Sequence, residues 1–237
     1  MWRPITMLIC RPRLAFGETV PDTRPVTAHR GCQLYATITS GPAARERLTA
    51  VLDAGVVTSV LIQPLPGARL SASEVKPLVD VIQQHNVAAL IDGDVQLART
   101  VRADGVHLAH SADCLDVYRE ARATLGERSI VGADAGRSRH AAMSLAEAGA
   151  DYISFGVGPS VPTSEDEPET REQLIDWWAG LFEIPCVAFD VVTPEDATTL
   201  ADRGADFIAF ALAPGIAPAA AKAFAETMAE AVAAVTV

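Results

Sequence analysis

From Gln33 onward the chain alternates short, nearly continuous apolar runs with longer stretches in which apolar residues recur every three or four positions. The apolar runs are Gln33–Thr39, Thr58–Gln63, Val87–Asp92, Gly105–Ala109, Ser129–Asp134, Asp151–Gly156, Cys186–Asp190 and Asp206–Ala211. Runs that are apolar at consecutive positions predict strands covered on both faces, as in a parallel sheet. The stretches between them predict amphipathic helices. Ser73 caps one that carries Val75, Leu78, Val79 and Ile82 as a single stripe, and Ser138 opens another with Ala142, Leu145 and Ala146. Thr193-Pro194-Glu195 supplies an N-cap followed by proline at the first helical position.

A weak internal repeat reinforces this pattern. EAGADYISFG and DRGADFIAFA match almost position for position, and VRADGVHLA is a looser third copy. In each, a helix ends at Gly or Arg and Ala-Asp leads directly into a strand; Gly149 and Gly204 suit the left-handed residue that closes a helix. Repeated strand–helix units imply right-handed crossovers in a barrel or an open doubly wound sheet. Eight units in 237 residues favour a (β/α)8 TIM barrel as a single domain over residues 32–237. Residues 1–31, rich in Pro and Arg without a sustained period, are expected to form an irregular N-terminal arm.

Composition narrows the partners. A formal net charge of −11 argues against nucleic acid and anionic membranes, both of which need a positive field. Cys10, Cys32, Cys114 and Cys186 show no paired spacing, so neither a disulfide framework nor a zinc site is suggested. The apolar run near the start is cut off by Arg11 and Arg13 and is too short for a signal peptide. The cytoplasm is the expected compartment, the expected partner is a small molecule at the barrel mouth, and an oligomer is left open.

In a barrel, functional residues stand at the C-terminal ends of the strands and in the loops that follow. Those positions hold Gln63, then Asp92 and Asp94, then His107, His110 and Asp113, then Asp134, the loop GVGPSVPTSEDEPET from Gly156, and Asp190. Asp92, Asp134 and Asp190 end alternate strands and could share one layer, where ionised carboxylates need a cation or raised pKa values. The competing reading makes them separate loop caps that accept backbone N–H bonds. His107 reads as a structural histidine or a base, and His110 with Asp113 as a general-base pair. Gly156, Gly158 and Ser160 could expose amides to an anion.

The run from Leu90 to Gly158 resembles thiamine phosphate synthase and its relative the thiazole tautomerase, carried by LIDGDVQLARTVRADGVHLAH, SIVGAD and AEAGADYISFGVGPS. The resemblance extends more faintly from Gln33 to about Ala213. It implies a barrel that joins a pyrimidine methyl diphosphate to a thiazole phosphate with magnesium, releasing pyrophosphate. The pattern is eroded residue by residue. The family's Q-L-R-x-K is Gln63-Pro64-Leu65-Pro66-Gly67, its N-D-R is Asp92-Gly93-Asp94, and in H-L-G-Q-x-D the last Asp falls one place late, at Asp113. The G-x-S-x-H turn is Gly132-Ala133-Asp134-Ala135-Gly136, and the T-x-T-K loop keeps Thr163 without the Lys. The phosphate-cradling glycine pair is Asp190-Val191, and the Ser after the eighth strand is Leu212.

These replacements predict a divergent member with weak or lost synthase activity. On this reading Asp92, His107, His110 and Asp134 are the candidate catalytic residues. Gln63, Gly156, Gly158, Ser160, Thr163 and Asp190 are the candidate ligand contacts. If magnesium is retained, Asp92, Asp113 and Asp134 are the carboxylates left to hold it. The alternatives are a non-catalytic ligand-binding or regulatory barrel, and a metal-dependent lyase or hydrolase that uses the acidic rim.

Overall fold

A computed structural model describes residues 31–156 and 169–235. Eight parallel strands close in sequence order into a barrel, each followed by a helix on the outside. The strands are β1 Gln33–Thr39, β2 Val57–Gln63, β3 Ala88–Asp92, β4 Gly105–Leu108, β5 Ile130–Asp134, β6 Tyr152–Phe155, β7 Cys186–Val191 and β8 Phe207–Leu212. The helices are α1 Ala44–Leu52, α2 Ala72–Gln84, α3 Val95–Val101, α4 Cys114–Leu125, α5 Arg139–Glu147, α6 Arg171–Leu181, α7 Pro194–Asp202 and α8 Pro218–Ala233. The predicted (β/α)8 barrel is therefore present, with every strand limit within one residue of the expected one. The N-terminal arm lies outside the described residues apart from Gly31.

The apolar residues divide into two cores, as a closed barrel requires. One lies between the strands and the helices and includes Leu48, Ile62, Val79, Ile91, Leu145, Trp178 and Phe210. The other fills the lumen with Tyr35, Leu61, Leu90, Ile130, Tyr152, Val187, Phe189 and Phe207. This twofold burial is why the strands read as nearly unbroken apolar runs. Among the described residues no helix is long and apolar enough to cross a membrane.

Ser138 and Thr193 cap their helices as expected, accepting from the N–H groups of Ala141 and Asp196. The second helix differs. It starts at Ala72, so Ser71 rather than Ser73 takes the cap position, and the Ser71 hydroxyl bonds the Glu74 carboxylate rather than a backbone N–H. Pro77 lies inside this helix, within the first two turns.

The repeat has a physical basis in the turns. Ala103, Ala150 and Ala205 each donate a backbone bond to the residue five places earlier, closing their helices in the Schellman manner. Arg102, Gly149 and Gly204 supply the positive φ that this closure needs. The aspartate that follows then caps the previous strand. Asp104, Asp151 and Asp206 accept from the N–H groups of Ala89 in β3, Val131 in β5 and Cys186 in β7, at 2.8, 2.7 and 2.9 Å.

Candidate active site

The C-terminal strand ends carry the candidate residues to one mouth. Asp92 sits opposite His107 in the β3–β4 register, and its Oδ2 accepts from Gln63 Nε2 at 3.4 Å, so two predicted site residues meet. Burial raises the Asp92 carboxyl above its ordinary range, and the Gln63 bond partly offsets this. Asp134 Oδ1 accepts from the N–H of Gly136 at 2.7 Å, the loop-capping role weighed against the catalytic one. Burial also raises the Asp134 carboxyl. The Gly136 bond and His110 oppose that rise, and Asp190 adds to it. Asp134 therefore stands in the combined field of His110 and Asp190.

His110 does not pair with Asp113 as the spacing suggested. Its ring packs on Gly136, where an added Cβ would lie 3.0 Å away, and its Nδ1 is buried without a partner among the described residues. Asp113 occupies the N-cap position of α4 and makes no side-chain cap bond. Asp94 caps α3 through Leu97 at 2.8 Å, which explains an aspartate where the resemblance expects Arg.

Asp190 shows the most unusual backbone at the mouth. It has φ 58°, in the left-handed region that glycine adopts freely. The β7–β8 ladder slips there, with Ala188 opposite Ile208 but Val191 opposite Phe210. Three steps on β7 thus match two on β8, a bulge of the kind found beside functional sites. Arg171, buried at the start of α6, fixes the carbonyl just before it. It donates to Phe189 O at 2.6 Å and grips both Asp196 oxygens at 2.8 and 2.7 Å.

Below the strand ends a hydrogen-bonded aromatic group fills the lumen. The Tyr35 and Tyr152 hydroxyls are 3.2 Å apart, and the Tyr152 hydroxyl meets His107 Nδ1 at 2.9 Å. The His107 ring stacks on Phe189 with centroids 4.6 Å apart and planes at 19°. Burial pushes His107 down to about 4, so the imidazole is neutral at neutral pH and offers no cation to a phosphate. Gly132 makes room for this group, since a Cβ there would lie 1.9 Å from Tyr152 Cζ.

Beside this group a cavity of about 210 Å³ opens between β1, β2, β7 and β8, with Thr37, Gln63, Phe189 and Asp190 in its wall. A wider groove of about 500 Å³ lies on the other side of Asp92, lined by Arg69, Asp94 and Glu120 among others. The residues do not assemble a three-carboxylate magnesium site. Among the described residues no three His, Cys, Asp or Glu side chains come together to hold a metal ion, and Gly93 brings no side chain where the resemblance expects a carboxylate. The trio Asp92, Asp113 and Asp134 is thus not assembled as a ligand set.

Gly156 is buried directly after β6, whereas Gly158, Ser160 and Thr163 lie outside the described residues. Sequence reasoning missed Tyr35, Thr37, Tyr152, Phe189 and Arg171. The period of two in Tyr35 and Thr37 was the available signal, since alternate residues of a strand face the same side. Arg171 gave none, because an Arg at the start of a helix is ordinarily solvated.

The family model described as thiamine monophosphate synthase matches residues 34–214. A thiamine-phosphate synthase of Erythrobacter litoralis is 38% identical over 173 residues, covering 69% of this chain and 78% of that protein. One of Rhodospirillum centenum is 40% identical over 168 residues, covering 68% and 77%. The thiamine phosphate pyrophosphorylase structure from Pyrococcus furiosus superposes with a TM-score of 0.67 at 23% identity, over 86% of this chain and 96% of that one.

Proposed function

The chain belongs to the thiamine monophosphate synthase family, and on that premise we propose that it serves thiamine biosynthesis or salvage as a divergent barrel. It binds a thiazole- or pyrimidine-like ligand at the C-terminal mouth and forms thiamine phosphate weakly or not at all.

One observation carries this reading: the strand ends present carboxylates where a diphosphate reaction needs cations. Transfer from a diphosphate requires Arg or Lys, helix N-terminal amides and a metal to offset the charge of the leaving group. Asp92, Asp134 and Asp190 end the odd-numbered strands β3 and β5 and stand near the end of β7, and the neighbouring histidine in the lumen is neutral. The loop from Gly156 to Thr170 adds Glu165, Asp166, Glu167 and Glu169 and contains no Lys or Arg. The surviving fold, the bulge at Asp190 and the aromatic floor support ligand binding by the same mouth.

Thermal-shift screening tests the binding half. The probes are thiazole phosphate, the thiazole alcohol, pyrimidine phosphates and thiamine phosphate, each with and without magnesium. A ligand at a hundred times its Kd stabilises by about 2.7 kcal/mol, enough to raise the melting midpoint visibly. At least one thiazole- or pyrimidine-like probe is expected to do so, and no shift with any of them would contradict the reading.

A further inference from the structure

Charge is unevenly divided along the chain. Residues 1–16 hold Arg3, Arg11 and Arg13 and no Asp or Glu, within a chain of formal net charge −11. They also hold Trp2, Ile5, Leu8, Ile9, Leu14 and Phe16, an apolar content high for a segment left in water. The stretch that follows, Gly17–Arg30, has no such apolar run.

A groove on the described surface has the complementary character. It is the groove of about 500 Å³ beside Asp92, between the β2–α2 loop, α3 and α4. Asp92, Asp94 and Glu120 line it, and among the described residues Arg69 is the one cation in its wall. Leu70, Val95, Val117 and Ala121 supply its apolar part, and Val117 is among the few large apolar side chains left exposed. Val117, Glu120, Ala121 and Thr124 fall at i, i+3, i+4 and i+7 on α4, so one helix face presents an apolar strip with a carboxylate in it.

Arg11-Pro12-Arg13-Leu14 matches this groove in kind and in order. Proline favours an extended backbone for itself and for the residue before it. In an extended chain Arg11 and Arg13 fall on one side, Pro12 and Leu14 on the other. The reach suffices. Residues 15–30 span up to about 55 Å when extended. From the start of β1 the groove lies about 25 Å up the barrel and about 30 Å around it, three helix spacings of about 10 Å, or about 40 Å on the diagonal.

We propose that the groove beside α4 is the docking surface for this chain's own N-terminal segment. Arg11 and Arg13 meet the carboxylates of Asp94 and Glu120, and Leu14 covers Val117 and Leu70. The docked segment also shields the outer side of Asp92, which the groove shares with the ligand mouth. Exposed ion pairs add little to overall stability, so the docking is read from proximity rather than from melting.

Disulfide trapping in the full chain tests this, because Cys10 directly precedes Arg11. Gln96→Cys puts a thiol in the groove wall, and Leu181→Cys puts one at an exposed site at the end of α6 as the control. In a glutathione buffer, with peptide mapping, Cys10 is expected to bond position 96 within the monomer about fivefold or more faster than position 181. In the Gln96→Cys protein, Glu120→Lys should lower trapping about fivefold, as should Arg11→Gln with Arg13→Gln. Salt at about 1 M, where the Debye length is about 3 Å, should do the same. Cooperative melts close to wild type establish that the variants are folded.

Equal trapping at the two positions overturns the docking site. Trapping that ignores both the charge variants and salt overturns the role given to the ion pairs. A bond to position 96 found only between chains overturns the intramolecular occupant and makes the segment a contact between copies. Background trapping, with the full chain co-sedimenting with anionic phospholipid vesicles, overturns the inference and assigns the segment to a membrane surface.

Discussion

His107 shows what a single residue's surroundings decide. Within ADGVHL it reads first as a structural histidine and second as a base. The lumen settles its charge state: it is enclosed by Tyr152 and Phe189, and burial holds its pKa at about 4. A histidine whose folded pKa is depressed binds fewer protons in the native state than in the unfolded one. Its contribution to stability is therefore present above the unfolded value of about 6.5 and is lost as pH falls through that range toward 4. Denaturant melts between pH 7 and 4 should show a loss of about 3 kcal/mol assignable to this group. His107→Asn should be less stable at pH 7 and lack that component, and an unchanged pH profile in the variant would contradict the buried neutral imidazole. Asp134 behaves in the opposite sense. Burial raises its carboxyl, with Asp190 adding to the effect, so it favours the fold at low pH and ceases to do so as pH rises through its folded pKa. Asp134→Asn keeps an oxygen for the Gly136 N–H and should melt higher than wild type at pH 7, with no gain below about pH 4 where both states are protonated. If magnesium or manganese stabilises wild type and not the variant, the carboxylate holds a cation and is more than a cap.

At the scale of elements, the three aspartates of the repeat were legible as pattern before their purpose was. Asp104, Asp151 and Asp206 recur because the strand before each has, near its start, a backbone N–H that needs an acceptor. Repetition in the sequence revealed units; the bond itself runs between units and is invisible to local periodicity. Asp206→Ala leaves the Cys186 N–H in a buried position without its acceptor and should cost about 1–3 kcal/mol, read from urea midpoints. A loss well under 1 kcal/mol would mean that water or another group replaces the carboxylate. The second helix failed in the other direction. Two serines, Ser71 and Ser73, precede its apolar stripe, and spacing alone does not say which begins the helix. The bulge near the end of β7 was equally hidden, because Asp190 in a left-handed turn looks in sequence like any strand-terminal aspartate.

For the whole molecule, the closed barrel was legible because eight apolar runs at regular spacing leave few other ways to bury them. The site was only half legible. The sequence placed the carboxylates at one mouth but could not show which of them cap their own loops, which meet a neighbour, or that the floor between them is aromatic. Closure also bears on the N-terminal arm. β1 begins at Gln33 and is paired along both edges, to β2 and to β8. A chain starting at Gly31 should therefore melt cooperatively within a few degrees of the full chain. A far lower midpoint would show that the arm belongs to the barrel or to an interface between copies.

The central claim is that this mouth has exchanged the charge needed for diphosphate chemistry for carboxylates while keeping the family's barrel. The direct measurement is turnover of a pyrimidine methyl diphosphate and a thiazole phosphate by the purified full chain with magnesium, following thiamine phosphate and pyrophosphate together. The expected rate lies below about 1 s⁻¹, the lower end of ordinary enzyme turnover. Magnesium-supported formation of thiamine phosphate at or above that rate, with matching pyrophosphate release, would contradict the account.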